Sequence, residues 1–209
     1  FNCRIWRWIF LGSLNFEIIM EEYNPFSLNG KTILVTGGSS GIGRGIAVGC
    51  SKMGANVIIV GRNEYRLKES LSQMIGDDNK YFVVDLTKAD DIDNFVSESP
   101  KLNGIVHCAG IGHRKMCKQI NAEDVDSVMN INFKAPVLLQ SALLSQKKVL
   151  PQASIVFIAS RAAESPSIGN AIYSASKGAI ISYSKCLALE LAPRKIRVNC
   201  ICPAMVWTD

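Results

Sequence analysis

Short apolar runs and longer amphipathic stretches alternate along most of the chain. The short runs are rich in β-branched and aliphatic residues, as in ILV at 33–35 and VIIV at 57–60, which is typical of strands covered on both faces. The longer stretches repeat their apolar positions at helical spacing. Strands are predicted at 32–35, 56–60, 81–84, 104–108, 154–159 and 197–201, and the helices between them include 64–75, 122–144 and 173–191.

This alternation predicts an α/β protein with three layers. Right-handed βαβ units would place the strands in one parallel sheet with helices on both faces. Ligands of such sheets bind beyond the carboxyl ends of the strands. We expect this domain to span residues 28–209. Residues 1–27 are predicted to be an extension outside the fold, although Trp6, Trp8 and Phe10 also suit an interfacial anchor.

A glycine-rich turn follows the first predicted strand. Gly37, Gly41 and Gly43 interrupt the apolar pattern, and Ile42 and Ile46 restart it at helical spacing. Glycine lets the backbone approach a pyrophosphate without a Cβ between them, and the free amides of a first helical turn hold the anion. Glycine clusters also occur in ordinary loops, but the strand before and the helix after favour a Rossmann-type dinucleotide site.

Candidate chemistry lies in the second half of the chain. Of five tyrosines, only Tyr173 has a lysine four residues later, Lys177, which places the two side chains one turn apart on a helix. An ammonium group about 4 Å from a phenol stabilises the phenolate by roughly 4 kcal/mol at an effective dielectric of about 20. Ser160 is predicted to end the fifth strand. Its hydroxyl would then bind a substrate carbonyl or, alternatively, cap the following turn.

The spacing Thr-Gly-x-x-x-Gly-x-Gly at 36–43, together with Tyr-x-x-x-Lys at 173–177, resembles the short-chain dehydrogenase/reductase family over about residues 28–209. The likeness is to its compact single-domain branch and to 3-oxoacyl-thioester-reductase-like members. It implies a catalytic set of Asn132, Ser160, Tyr173 and Lys177, in which Asn132 holds a water for proton relay. It also implies that a C-terminal lid and a last strand are missing, because only CPAMVWTD follows the last predicted strand.

The end of the second predicted strand bears on the choice of cofactor. A carboxylate there would bind the ribose 2′-hydroxyl of NAD, but Gly61 occupies the position and Arg62 follows. A guanidinium binds a 2′-phosphate, so NADP(H) is predicted, with NAD(H) and a merely solvated Arg62 as the alternatives. Ser39 or Asn63 is expected to assist. The predicted cofactor contacts are Gly37, Ser39, Ser40, Gly41, Ile42, Gly43, Arg62, Asp85, Leu86, Ala109, Gly110, Tyr173, Lys177, Pro203 and Thr208.

Four residues either allow a second interpretation or depart from the family pattern. The resemblance places Asp85 against the adenine, but Thr87 and Asp90 also resemble a helix capping box, in which Asp85 would only cap nearby amides. His107 and Cys108 depart from the Asn-Asn of the family pattern and are expected to hold the end of the sheet. Ala204 replaces the glycine in the Pro-Gly-x-x-x-Thr run that supports the nicotinamide.

Composition narrows the functional class. The chain is 48% hydrophobic and 20% charged with a net charge of +5, which is typical of a globular domain without a nucleic-acid footprint. Seven cysteines include no CxxC pair, and only two histidines occur, so no metal site is expected and a reducing, cytoplasmic compartment is favoured. No membrane partner is expected. The resemblance implies a homodimer or homotetramer in the full-length protein.

These observations predict an oxidoreductase that moves a hydride between a nicotinamide cofactor and a ketone or secondary alcohol. Two alternatives are a cofactor-binding sensor without turnover and an extended-branch nucleotide-sugar epimerase or dehydratase. The substrate is left open, with 3-oxoacyl thioesters, sugars, polyols and steroids all compatible with the resemblance.

Overall fold

The computed structural model describes residues 24–208 and contains one parallel six-stranded sheet. Its strands are β1 (Thr32–Thr36), β2 (Asn56–Gly61), β3 (Lys80–Val83), β4 (Leu102–His107), β5 (Val149–Ile158) and β6 (Arg197–Ile201). They lie in the order β3-β2-β1-β4-β5-β6. The chain runs outward from β1 to β3 and then returns to the other side of β1, so the topological switch point lies between β1 and β4.

Within residues 24–208, six α-helices connect the strands. They are α1 (Gly41–Lys52), α2 (Glu64–Leu71), α3 (Ala89–Glu98), α4 (Ala122–Met129), α5 (Ala135–Ser145) and α6 (Ala171–Leu191). A π-helical turn, Asn130–Lys134, joins α4 to α5. Pro136 lies in the first turn of α5 and has no N–H to donate to the carbonyl of Asn132, which favours the interruption. The predicted helix 122–144 is therefore confirmed as a continuous helical segment in which a π-helical turn separates α4 from α5.

Apolar side chains alternate between the two faces of the sheet. In β1, Leu34 joins the cluster formed with α3, α5 and α6, whereas Ile33 and Val35 join the cluster formed with α1 and α2. Each fully buried aliphatic side chain contributes about 1.5–3 kcal/mol. The predicted three-layer arrangement is confirmed, with the sheet held between two helical layers.

The bounds of β5 and α2 differ most from the prediction, by four or five residues at one end. β5 begins at Val149 and ends at Ile158, so Ser160 lies beyond the strand instead of ending it. α2 ends at Leu71 instead of 75, because the Asn79 side-chain amide binds the carbonyls of Ile75 and Gly76 and turns the chain toward β3.

The described residues begin within the predicted extension. Residues 1–23, with the proposed anchor at Trp6, Trp8 and Phe10, lie outside them, as does residue 209. Between residues 24 and 208, no helix is long and apolar enough to cross a bilayer. The six cysteines of this part are free thiols.

Candidate active site

A cleft of about 730 Å³ opens at the carboxyl ends of the strands, around the switch point. Its walls come from the β1–α1 turn, the ends of β2 to β5, the start of α6 and the segment after β6. It brings together nearly all of the predicted site residues: Gly37, Ser39, Ser40, Gly41, Ile42, Gly43, Arg62, Asp85, Leu86, Ala109, Gly110, Ser160, Tyr173, Lys177, Pro203 and Thr208. Within the described part of the chain, Asn132 is the one predicted residue that lies outside this lining.

The glycine turn packs tightly against the end of β4. A Cβ on Gly37, whose φ is +68°, would lie 2.8 Å from the Cα of Ala109, and a Cβ on Gly43 would lie 2.2 Å from the carbonyl oxygen of Gly37. Thr36 fixes the same contact, because its Oγ1 accepts hydrogen bonds from the amides of Cys108 and Ala109 at 3.0 and 3.1 Å. The turn therefore requires glycine for space as well as for backbone conformation.

The first turn of α1 is open toward the cleft. Gly41, Ile42 and Gly43 line the cleft, and the helical hydrogen bonds begin only with Arg44, whose amide donates to Ser40. Within residues 24–208, the Ser40 side chain makes no capping hydrogen bond to this turn. Free amides and the positive end of the helix dipole thus face the space where a pyrophosphate fits.

The β2 end of the cleft is cationic. Arg62 and Arg66 both line it, beside Ser39 and Gly61. Asn63 also lines the cleft. Its side-chain oxygen caps α2 by accepting from the amide of Arg66 at 3.0 Å, and its Nδ2 group is the donor that the predicted contact with a phosphate would use. Arg66 was missed from the sequence, although its spacing of one helical turn from Arg62 was the available signal.

Asp85 makes the capping contact that the sequence offered as one alternative, and its contact with an adenine stays a prediction. Its Oδ1 accepts from the hydroxyl and the amide of Thr87, at 2.7 and 3.0 Å, and these bonds lower the pKa of Asp85. The same residue lines the cleft with Leu86. The predicted capping box of Thr87 and Asp90 does not form, because α3 begins at Ala89 with Lys88 as its N-cap and the Thr87 hydroxyl is already bound to Asp85.

Tyr173 and Lys177 face the cleft from α6. Lys177 is only 6% exposed, its Nζ donates to the carbonyl of Ile158 at 2.8 Å, and burial lowers its pKa. The Nζ lies 5.8 Å from the centroid of the Tyr173 ring. The amine is therefore fixed between the end of β5 and the tyrosine, with two further N–H groups left to donate.

Ser160 caps the 3₁₀ turn Arg161–Ala163, since its Oγ accepts from the amide of Ala162 at 3.1 Å. The capping alternative is thus what the structure shows, two residues after β5. Ser160 nevertheless lines the cleft, and a hydroxyl that accepts one hydrogen bond still has its own hydrogen to donate.

Asn132 lies behind the cleft, 2% exposed within the π-helical turn. Its Oδ1 accepts from the amide of Ile111 at 2.8 Å, and its Nδ2 donates to the carbonyl of Ile111 and to Ser176 Oγ, both at 3.0 Å. The side chain thus holds the segment that follows β4. Ile111 and Gly112 of this segment line the cleft. They were not predicted, because the only signal in the sequence was their position directly after Gly110.

His107 and Cys108 lie at the end of β4, as predicted for a structural role. His107 stacks on Phe157 with ring centroids 4.6 Å apart, and its Nε2–H donates to Gln140 Oε1 at 3.0 Å. Burial lowers the pKa of His107 to about 4 and raises the pKa of Cys108 to about 11. Both groups are therefore uncharged at neutral pH.

The segment after β6 completes the cleft with Pro203, Ala204 and Thr208. The Pro203 carbonyl accepts from the amide of Arg161 at 3.0 Å. A Cβ on Gly41 would lie 3.6 Å from Thr208, so Thr208 lies beside the glycine turn.

The fold and cleft define a dinucleotide-binding α/β protein with a Ser-Tyr-Lys set beside the cofactor space. The family model described as short chain dehydrogenase matches residues 31–209, and the chain belongs to this family. The chain is therefore a nicotinamide-dependent oxidoreductase, and the predicted resemblance is confirmed.

Known relatives agree with this assignment. The chain is 36% identical over 182 residues to the 3-oxoacyl-(acyl-carrier-protein) reductase FabG of Rickettsia felis, covering 87% of this chain and 75% of that protein. It is 33% identical to the human dehydrogenase/reductase SDR family member 4, covering 87% and 68%. A 3-ketoacyl-(acyl-carrier-protein) reductase of Brucella melitensis complexed with NADH superposes with a TM-score of 0.80 at 33% identity, covering 87% and 78%. An Escherichia coli short chain dehydrogenase complexed with NADPH gives 0.77 at 33%, covering 86% and 78%.

Proposed function

We propose that the protein interconverts a ketone and the corresponding secondary alcohol, with NADP(H) as the preferred cofactor. The observation that carries this proposal is that Ser160, Tyr173 and Lys177 line the same cleft as the glycine turn. A protein that only bound the nucleotide would need the turn and the open end of α1, but not a serine, a phenol and a buried amine beside them.

The roles of the three side chains follow from their contacts. The bound cofactor supplies the hydride that adds to the carbonyl carbon. As negative charge develops on the carbonyl oxygen, the Tyr173 hydroxyl gives it a proton and the Ser160 O–H donates a hydrogen bond to it. Lys177, held by Ile158, places its amine beside the tyrosine ring and, when protonated, stabilises the phenolate that remains.

Asn132 would support the return of a proton to Tyr173. Its side chain is bound to Ile111 and Ser176, so a relay water would be held by its main-chain carbonyl. Pro136 cannot donate to that carbonyl, and the π-helical turn around it favours such a use.

The preference for NADP(H) rests on charge at the β2 end of the cleft. Arg62 and Arg66 line this end, and Gly61 stands where a carboxylate would bind a 2′-hydroxyl. Guanidinium groups bind phosphate through charge-assisted hydrogen bonds. Related structures contain NADH in one case and NADPH in another, so the relatives fix the cofactor class and the arginines support the choice within it.

A 3-oxoacyl thioester is the substrate class that we propose first. Its support is the identity of 36% to a 3-oxoacyl-(acyl-carrier-protein) reductase. Sugars, polyols and steroids belong in the same panel of carbonyl compounds, which should be assayed by the oxidation of NADPH.

The catalytic proposal is tested by Tyr173→Phe, with Tyr183→Phe as the matched control. Tyr183 lies on the same helix, where its ring packs against Phe133 and Phe157. Tyr173→Phe should lower kcat by about 10²–10⁴-fold while the Kd for NADPH, measured by fluorescence titration, stays unchanged. Tyr183→Phe should retain turnover. Retained turnover in Tyr173→Phe would exclude this tyrosine as the acid, and NADPH binding without turnover of any carbonyl compound would favour the sensor.

The cofactor preference is tested by Arg62→Ala, with the exposed Arg197→Ala on β6 as control. Loss of one guanidinium from a 2′-phosphate should raise the Kd for NADPH by about tenfold and leave the Kd for NADH unchanged. Equal affinities of the unaltered protein for the two cofactors, with no effect of Arg62→Ala, would refute the preference.

A further inference from the structure

The segment of residues 111–116, here called the wall segment, follows β4 and has no regular secondary structure. Ile111 and Gly112 line the cleft that also contains Ser160 and Tyr173. A Cβ on Gly110, the residue before the wall segment, would lie 3.4 Å from Lys177 Nζ, so the segment starts on the side of the cleft that holds the Tyr173–Lys177 pair. Its conformation therefore depends on contacts with neighbouring elements and not on a sheet or helix of its own.

Two main-chain attachments hold the wall segment. Asn132 binds the amide and the carbonyl of Ile111 at its start. The amide of Lys115 donates to the carbonyl of Gly169 at 2.8 Å near its end. Gly169 lies just before α6, so this bond links the wall segment to the loop that leads into Tyr173.

The third attachment joins two side chains of the wall segment to Asp124, at the start of α4. Lys115 Nζ donates to Asp124 Oδ2, and His113 Nε2 lies 3.3 Å from Asp124 Oδ1. The Asp124 side chain is 19% exposed, and those of His113 and Lys115 are 15% and 31% exposed. The side chains of His113 and Lys115 are thus turned onto α4, and neither is among the described residues that line the cleft.

Asp124 is itself fixed at the start of α4. Its amide donates to Asn121 Oδ1 and its Oδ2 accepts from the amide of Asn121, both at 2.9 Å, which forms a capping box. The Lys115 ammonium and these bonds hold the pKa of Asp124 down to about 2. One carboxylate therefore caps α4 and anchors two side chains of the wall segment.

We infer that Asp124 is a positioning residue for substrate. Through Lys115 and His113 it fixes the wall segment, and with it Ile111 and Gly112, beside Tyr173. Loss of this anchor should weaken the binding of the carbonyl substrate while the binding of the nucleotide, which rests on the glycine turn and α1, stays unchanged. The kinetic consequence rests on the proposed function, but the anchoring of the wall segment does not.

The experiment compares five variants of the 209-residue chain. Asp124→Asn removes the anchoring charge, and Asp126→Asn makes the same change at an exposed position of α4. Lys115→Met removes the ion pair without touching the capping box. Asn121→Ala removes the side-chain cap and leaves the Asp124 carboxylate with its two side-chain partners. Each is assayed with NADPH and acetoacetyl-coenzyme A, a soluble 3-oxoacyl thioester, and by hydrogen–deuterium exchange of residues 111–116.

Asp124→Asn and Lys115→Met should raise KM for the thioester by roughly two- to fivefold, with kcat and the Kd for NADPH unchanged, and should speed exchange in the wall segment. Asn121→Ala should lower the melting temperature but leave KM unchanged, and Asp126→Asn should match the unaltered chain. Asp124→Glu, which keeps the charge, should restore KM.

The inference is overturned if Lys115→Met leaves both KM and exchange unchanged, or if Asn121→Ala raises KM as much as Lys115→Met, since capping alone would then explain the effect. If the unaltered chain reduces no carbonyl compound, the proposed function fails separately. Exchange in the wall segment then decides the inference by itself, and unchanged exchange in Asp124→Asn and Lys115→Met refutes it.

Discussion

Lowering the pH from 7 to 5 should destabilise the protein through one buried imidazole. His107 is 4% exposed, stacked on Phe157, and hydrogen-bonded through Nε2 to Gln140. Its other ring nitrogen, Nδ1, has no hydrogen-bond partner among the described residues. A proton added to this ring would create a charge with little solvation, and burial accordingly lowers the pKa of His107 from 6.5 to about 4.

The direction of the effect follows from proton binding in the two states. In the unfolded chain the imidazole titrates near 6.5, whereas in the folded chain it stays neutral until the pH reaches about 4. Between these values the unfolded state binds a proton that the folded state does not, so acid favours unfolding. The contribution to the free energy of unfolding is present above pH 6.5 and declines toward pH 4. It amounts to about 3 kcal/mol in total, of which about 2 kcal/mol is lost by pH 5.

The assay is urea unfolding followed by circular dichroism at pH 5, 6 and 7, for the unaltered chain, His107→Asn and His107→Phe. Both variants remove the titrating group, although only His107→Phe retains an aromatic ring against Phe157. We expect each variant to have a lower free energy of unfolding than the unaltered chain at pH 7. At pH 5 this difference should be smaller by about 2 kcal/mol, because only the unaltered chain loses the His107 contribution. Parallel pH profiles in all three proteins would refute the assignment of this dependence to His107.

Two further predictions concern the glycine turn. Thr36→Val should lower the free energy of unfolding by about 2 kcal/mol in the same urea assay, because the amides of Cys108 and Ala109 lose their acceptor; an unchanged midpoint would contradict it. Gly43→Ala should raise the Kd for NADPH about tenfold or more, because its Cβ would meet the Gly37 carbonyl. Gly45→Ala, which meets open space on the same helix, should bind NADPH normally, and equal binding by both variants would show that the close approach is dispensable.

The sequence predicted the elements whose signal is local. Alternation in β1 and β2 follows directly from side chains that point to opposite faces of a strand, and these strands lie within one residue of their predicted bounds. The glycine turn and the Tyr173–Lys177 spacing are local as well. For this reason the predicted cofactor contacts fall in one cleft, although only the topology could show that the ends of β1 to β5 meet there.

The start of β5 was not predictable in the same way. Pro151 and Gln152 follow Val149, and a proline within an apolar run normally excludes a central strand. In the structure, Gln152 adopts a left-handed conformation with φ at +63°, and the pairing with β4 shifts register between Leu102 and Gly104. β5 thus continues through this irregularity, although Pro151 in the sequence indicates that a strand begins only after it.

Contacts between distant segments account for what the sequence missed. The role of Asn132 in holding a water stays a prediction, and what the sequence did not show is that its side chain is bound to Ile111, 21 positions away. Asp124 lies 11 positions from His113 and 9 from Lys115, and no motif marks the cluster that they form. Polar side chains of these types are ordinary surface residues in most sequences, so only the fold shows that they converge on one carboxylate.

Ser160 shows why two interpretations of one residue need not compete. Catalysis and capping were alternatives in the sequence, and the structure shows the cap: the oxygen accepts from the amide of Ala162. A hydroxyl has two acceptor lone pairs and one donor hydrogen, and the proposed reaction uses only the hydrogen. The cap occupies one lone pair of the Ser160 oxygen and holds this oxygen at the wall of the cleft. The hydroxyl that donates to the substrate is therefore in place before substrate binds. Capping therefore supports the proposed role, since a donor held in place loses less conformational entropy when it binds the developing charge.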